Sequence, residues 1–140
     1  MIAQRIDPRR VIFAAHEKAY LHAYHDIDIA LDPFPYPGGG TTCDALYMGV
    51  PVVTLVGKRH GARFGYSLLM NLGLAELCAS TQEAYIEIAV ALANDTERLY
   101  AYHQNLRPMM QRSPMMQPET YMSALERAYT DIWQNYLATK

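Results

Sequence analysis

IDIALDPFPYPGGGTTCDALYMGVPVVTLV, residues 27–56, is the stretch on which the fold turns. Both ends are apolar and rich in β-branched residues. Residues 27–32 read as a buried strand, and residues 51–56 read as the strongest strand in the chain. The second is nearly all apolar, as expected when both faces of a sheet are covered. Between them come the breaker Pro33, Phe34, Pro35, Tyr36 and Pro37, the glycines Gly38, Gly39 and Gly40, and a helix over residues 42–48. Gly49 and Pro51 close that helix, since a glycine accepts the left-handed cap and proline cannot continue the spiral. Strand, helix and strand in this order imply a βαβ unit and a parallel sheet.

The reading extends outward in both directions. Val11, Ile12, Phe13 and Ala14 form the first element, a short β-branched and aromatic run after the polar residues 7–10. A helical pattern follows, with Ala19, Tyr20, Ala23 and Tyr24 on one face. Downstream, residues 63–72 form a helix closed by Gly73, and residues 76–79 form a final edge strand. Ser80 with Glu83 matches a capping box for a helix that buries Tyr85, Ile88, Ala89 and Leu92. Another helix carries Leu99, Tyr102, His103, Leu106 and Met110, and Ser113 and Pro114 break it. The last runs from about Pro118 to Tyr136 with a stripe of Leu125, Tyr129, Ile132, Trp133 and Tyr136. The expected fold is α/β: a partial doubly wound, Rossmann-like parallel sheet of three to four strands with flanking helices, its C-terminal half helical.

Size and composition bound the function. The 140 residues suffice for one compact domain with a core, spanning residues 1–140. The chain is 51% hydrophobic and 19% charged, which is a globular balance. A net charge of -2 leaves no cationic surplus to displace counterions from nucleic acid. No apolar run reaches the roughly 20 residues of a membrane span. Cys43 and Cys78 are too few for a disulfide framework and read as reduced thiols of a cytoplasmic protein.

The candidate site lies at residues 32–44, where a parallel strand ends, a glycine loop turns, and a helix begins. Ligands of open α/β sheets collect at the carboxyl ends of strands. A helix N-terminus offers unpaired N–H groups and the positive end of its dipole, which suit phosphate. Gly38, Gly39 and Gly40 let an anion approach the main chain closely. Thr41 reads as the N-cap, with Thr41 and Asp44 in a reciprocal capping pattern. Asp44, one turn into the helix, offers an acceptor for ribose hydroxyls. A plain tight turn with a capping aspartate fits the same spacing, and neither the dinucleotide fingerprint nor a Walker lysine is present.

Residues 28–36, followed by Gly38, Gly39, Gly40, Thr41, Thr42, Cys43, Asp44 and residues 45–54, resemble the C-terminal catalytic lobe of the O-linked N-acetylglucosamine transferase family. That is glycosyltransferase family 41, with the two-lobed GT-B fold. The likeness continues through Gly57, Arg63, Ser67, residues 72–77, Glu83, Tyr85, Ser113, Pro114, Tyr121, residues 125–129, Trp133 and Tyr136. It implies that Gly39, Gly40, Thr41 and Thr42 hold the diphosphate of a UDP-sugar, UDP-N-acetylglucosamine foremost, that Asp44 binds its ribose, and that Gly38 belongs to the same nucleotide-sugar site. His16, Lys18, Tyr20 and His22 are candidates for the uracil side. The sequence departs from the family where many members carry a histidine in the turn and this chain has Gly39 or Gly40. The family's phosphate-binding lysine, its N-terminal lobe and its helical repeats have no counterpart here.

The resemblance implies transfer of a sugar to Ser or Thr hydroxyls of protein, without a metal and with no cofactor beyond the donor. The chain alone is expected to supply leaving-group stabilisation, with the missing N-terminal lobe or a protein acceptor as partner. The alternative is a non-catalytic truncated or degenerate lobe that binds nucleotide or protein. Exposed strand edges and helix faces in so short a lobe predict a homo-oligomer. Other residues carry open readings. His22 and His25 are a metal pair or solvated side chains. Arg59 or Arg63 meets phosphate, or Arg63 anchors its loop. Cys43 reads as a small buried thiol rather than a nucleophile, and the residue 125–136 stripe as core or interlobe packing rather than a sugar platform.

Overall fold

In the computed structural model, which describes residues 6–15 and 18–139, residues 27–56 fold as strand, turn, helix and strand. Strand β1 is Ala30–Leu31, helix α1 is Gly40–Tyr47 and strand β2 is Val52–Leu55. Then come α2 (Phe64–Asn71), β3 (Cys78–Ala79), α3 (Gln82–Ala93), α4 (Thr96–Arg112) and α5 (Pro118–Ala138). The sheet has three parallel strands in the order β1-β2-β3, with Ala30 opposite Val52 and Thr54 opposite Cys78. β2 is therefore the centre, and its Val52, Val53 and Thr54 are all buried. An apolar, β-branched strand belongs there, because helices cover both its faces.

Turn chemistry fixes where the helices stop. Gly49 and Gly73 take φ of 87° and 73°, the left-handed conformation a side chain resists. Gly49 has a second reason to be glycine. A Cβ there would lie 2.9 Å from the His103 carbonyl oxygen of α4, so the bare residue lets α4 close onto the end of α1. Arg107 of α4 completes that contact by donating from Nε to the Tyr47 carbonyl at 2.8 Å. On the other flank, α4 meets the start of β3 through Tyr102, whose hydroxyl donates to Glu76 at 2.8 Å. The core gathers Leu46, Val53, Leu69, Leu77, Leu92 and Leu106 from both sides of the sheet.

Several expectations need correction. The run at residues 11–14 joins no strand, and Ile12 and Phe13 are 89% and 84% exposed. β preference needs a partner ladder and a face to bury, and this run has neither. The pattern around Tyr20 forms a tight 3-10 helix, Tyr20–Asp26. The cap of α3 is Thr81, whose hydroxyl accepts from the Ala84 N–H at 3.1 Å, so Ser80 stands one residue too early to form the expected box. Helix α4, by contrast, ends at Arg112 with Ser113 as its cap, as expected, and contains Pro108. The stripe on α5 is not core of this chain: Tyr129, Ile132 and Trp133 are about 60% exposed. The turn Pro114–Met116 packs against α5, and most of the helix's apolar face stays exposed among the described residues.

Candidate functional site

Asp32 organises the site. It directly follows β1, it is 3% exposed, and it accepts at both oxygens. The Gly38 N–H donates to Oδ1 at 2.7 Å and the Thr54 hydroxyl donates to Oδ2 at 2.6 Å. The Tyr85 hydroxyl of α3 donates to the Asp32 carbonyl at 3.1 Å, and the Tyr85 ring meets Phe34 edge-on. One residue thereby ties the glycine turn to the central strand and to α3. A buried carboxylate of this kind is tolerable because hydrogen bonds replace its lost water.

Gly38 is consumed by this arrangement. Its amide is already given to Asp32, and a Cβ on it would come within 2.6 Å of the Thr41 and Thr42 hydroxyls. Gly39 and Gly40 differ: a Cβ on either would meet nothing within 4 Å, so the surface over them is open. Helix α1 starts at Gly40 with Gly39 in the capping position, which places Thr41 inside the first turn instead of at the N-cap. No side chain caps the helix, and the reciprocal pattern with Asp44 does not form. Among the described residues the amides of Gly39, Gly40, Thr41 and Thr42 have no acceptor. Four unpaired donors at the positive end of a helix make a surface for an anion.

Asp44 lies one turn further along, and its Oδ2 accepts from the Tyr20 hydroxyl at 3.0 Å. Tyr24 donates to the Thr41 carbonyl at 3.2 Å. Two phenols of the 3-10 helix thus clasp the first turn of α1. The carboxylate beside Tyr20 raises the phenol's pKa, so Tyr20 stays a donor throughout the neutral range. A small depression of about 160 Å³ lies under this clasp, bounded by Tyr24, Asp32, Thr41 and Thr42. A larger cavity of about 310 Å³ opens where all three strands end, between Phe34, Pro37, Val56, Lys58, Arg59 and Thr81. Pro37 lines it and is bonded to Gly38, so cavity and glycine turn adjoin.

The remaining candidates separate. Among the described residues the Arg63 guanidinium makes no hydrogen bond to its loop, although the backbone N–H donates to the His60 carbonyl at 3.1 Å. The guanidinium lies over the Tyr66 ring at 4.9 Å, in a groove that shares no residue with the glycine turn. Arg59 reaches the larger cavity instead. His22 and Lys18 are exposed, and His22 lines a shallow depression together with Tyr20. His22 stacks on His25 at 6.0 Å. Among the described residues no group of three or more His, Cys, Asp or Glu side chains could hold a metal ion. His16 lies outside the described residues. Burial, and secondarily the Asp44 charge, raises the Cys43 pKa, so it is a neutral thiol near pH 7. Cys78 is pushed up to about 11 for the same first cause. Sequence reasoning began the site at Asp32 without giving that residue a role, and it did not foresee the clasp. An acid closing an apolar strand just before a proline was a usable signal for Asp32; the phenol contacts span 24 and 17 residues and gave none.

Comparison with known proteins agrees with this architecture. The sequence model of glycosyl transferase family 41 matches residues 1–125. A Hordeum vulgare protein named "Probable UDP-N-acetylglucosamine--peptide N-acetylglucosaminyltransferase SPINDLY" is 41% identical over 132 residues, covering 94% of this chain and 14% of the barley protein. The protein of the same name from Oryza sativa is 40% identical, with the same shares covered. A solved mutant of the Thermobaculum terrenum O-GlcNAc transferase superposes with a TM-score of 0.79 at 40% identity, covering 89% of this chain and 24% of that one. The parallel sheet and its flanking helices are therefore a lobe of the GT-B type. The chain belongs to glycosyltransferase family 41 and corresponds to part of its C-terminal catalytic region. It spans about one seventh of the length of the curated relatives it matches (14%).

Proposed function

We propose that this chain is the UDP-sugar-binding part of a glycosyltransferase that moves a sugar, N-acetylglucosamine foremost, onto Ser or Thr hydroxyls of proteins. The observation that carries the reading is the open first turn of α1, where the amides of Gly39, Gly40, Thr41 and Thr42 stand free beside the end of β1. Names of the relatives support the donor and the peptide acceptor. When the bond between sugar and diphosphate breaks, negative charge grows on the departing phosphate oxygens. Main-chain donors already fixed by the Asp32 clamp would meet that charge without reorganising, which is where electrostatic catalysis gains most. The same donors take the place of a counter-ion, so the reading includes no metal and predicts affinity for UDP unchanged by chelator. Among the described residues no histidine is hydrogen-bonded to the turn, and the reading assigns no acceptor-side base to this chain.

Calorimetric titration tests this: UDP should bind in a saturable manner and outcompete UMP, because the second phosphate occupies the helix end. Equal affinity for UMP and UDP would remove the diphosphate from the proposal. A second reading, a module that binds protein, is favoured by the exposure of Tyr129, Ile132 and Trp133 on α5 and by an outer edge of β1 that pairs with no other strand among the described residues. The occupant we propose for that face in the isolated chain is a second copy.

A further inference from the structure

Tyr20 stands in the notional uracil group by sequence, yet its hydroxyl is spent elsewhere: it donates to Asp44 Oδ2 at 3.0 Å. We infer that Tyr20 is a positioning residue that holds the Asp44 carboxylate for the ribose diol, making this side of the pocket selective for ribonucleotides over nucleotides that lack those hydroxyls. The inference rests on the nucleotide reading above. Asp44 is half-buried near the open end of α1, and a lone carboxylate there is free to swing between rotamers. A vicinal diol needs both carboxylate oxygens turned outward in one plane. The Tyr20 phenol takes one lone pair of Oδ2 and leaves Oδ1 open, which fixes the plane without using up the acceptor capacity of the group. Tyr24, bonded to the Thr41 carbonyl at 3.2 Å, pins the same 3-10 helix to α1 and gives Tyr20 a rigid base. The Tyr20 ring is about half exposed, so its hydroxyl meets the carboxylate without being forced there by burial.

The experiment compares UDP with the analogue lacking both ribose hydroxyls, each titrated by calorimetry into the full chain and its variants. For Tyr20→Phe, loss of one hydrogen bond to a charged group predicts UDP affinity lower by about three- to tenfold. Affinity for the analogue should change less than about twofold, because the analogue makes no use of Asp44. Tyr24→Phe controls for loosening of the 3-10 helix and should not reproduce this split. Tyr20→Phe keeps the aromatic face, so an unchanged UDP affinity would mean that the ring acts by stacking, and would overturn the inference. Equal losses for both ligands would reduce Tyr20 to a loop tether and overturn it as well. Wild-type chain that binds neither ligand would instead overturn the nucleotide reading, and this inference with it.

Discussion

Asp32 and the glycines beyond it divide the work at the level of single residues. Because Asp32 accepts from Gly38 and Thr54 while 3% exposed, Asp32→Asn replaces one acceptor with a donor that faces another donor. Loss of about 2 kcal/mol of stability is expected, read by urea denaturation. Gly38 and Gly40 then separate structure from binding. Gly38→Ala forces its new methyl against the Thr41 and Thr42 hydroxyls and should cost about 1–3 kcal/mol. Gly40→Ala meets nothing within 4 Å, so it should leave the unfolding midpoint in place while weakening UDP binding by crowding the open amides. Equal destabilisation by both alanines would contradict the division. The glycine triplet and Asp44 were legible in the sequence because their spacing between strand and helix is local. That Gly38 belongs to the fold and Gly39 and Gly40 to the open surface was not, since the difference depends on the buried Asp32 side chain.

Among the elements, β2 and α3 were read within a residue or two, because an all-apolar strand and an amphipathic helix announce themselves by period. The failures share a cause. The run at residues 11–14 has strand composition but no neighbouring strand edge, and the cap of α3 moved from Ser80 to Thr81, both residues being competent acceptors. Composition alone does not choose between two adjacent caps. Thr81→Ala should therefore cost about 1 kcal/mol, and Ser80→Ala much less, in thermal or chemical unfolding. Helix α2 owes its position to Gly65, where any Cβ would collide with Asp32 and Thr54. Gly65→Ala is expected to push α2 away from β2 and to lower stability by more than 1 kcal/mol, on the order of an overpacked core site.

The whole molecule has a core on both sides of β2 and an apolar face along α5 that is largely exposed among the described residues. Trp133 stacks on Tyr136 at 5.7 Å, and Tyr129 and Ile132 continue the exposed patch. Sequence spacing gave that stripe correctly, but spacing says only that a face is apolar, not which surface meets it. Sedimentation velocity should show a concentration-dependent shift to dimer, and Ile132→Glu with Trp133→Glu should abolish it without changing nucleotide affinity. A persistent monomer at high concentration would leave the face to some other occupant. Among the described residues no helix is long and apolar enough to cross a membrane.

Amide chemical shifts followed during a UDP titration test the account most directly. Saturable changes should concentrate at Gly39, Gly40, Thr41, Thr42 and Asp44, with Gly38 moving less because its N–H is already held by Asp32. Signals of that first helical turn that stay still at saturating UDP, or changes confined to the α5 face, would contradict it.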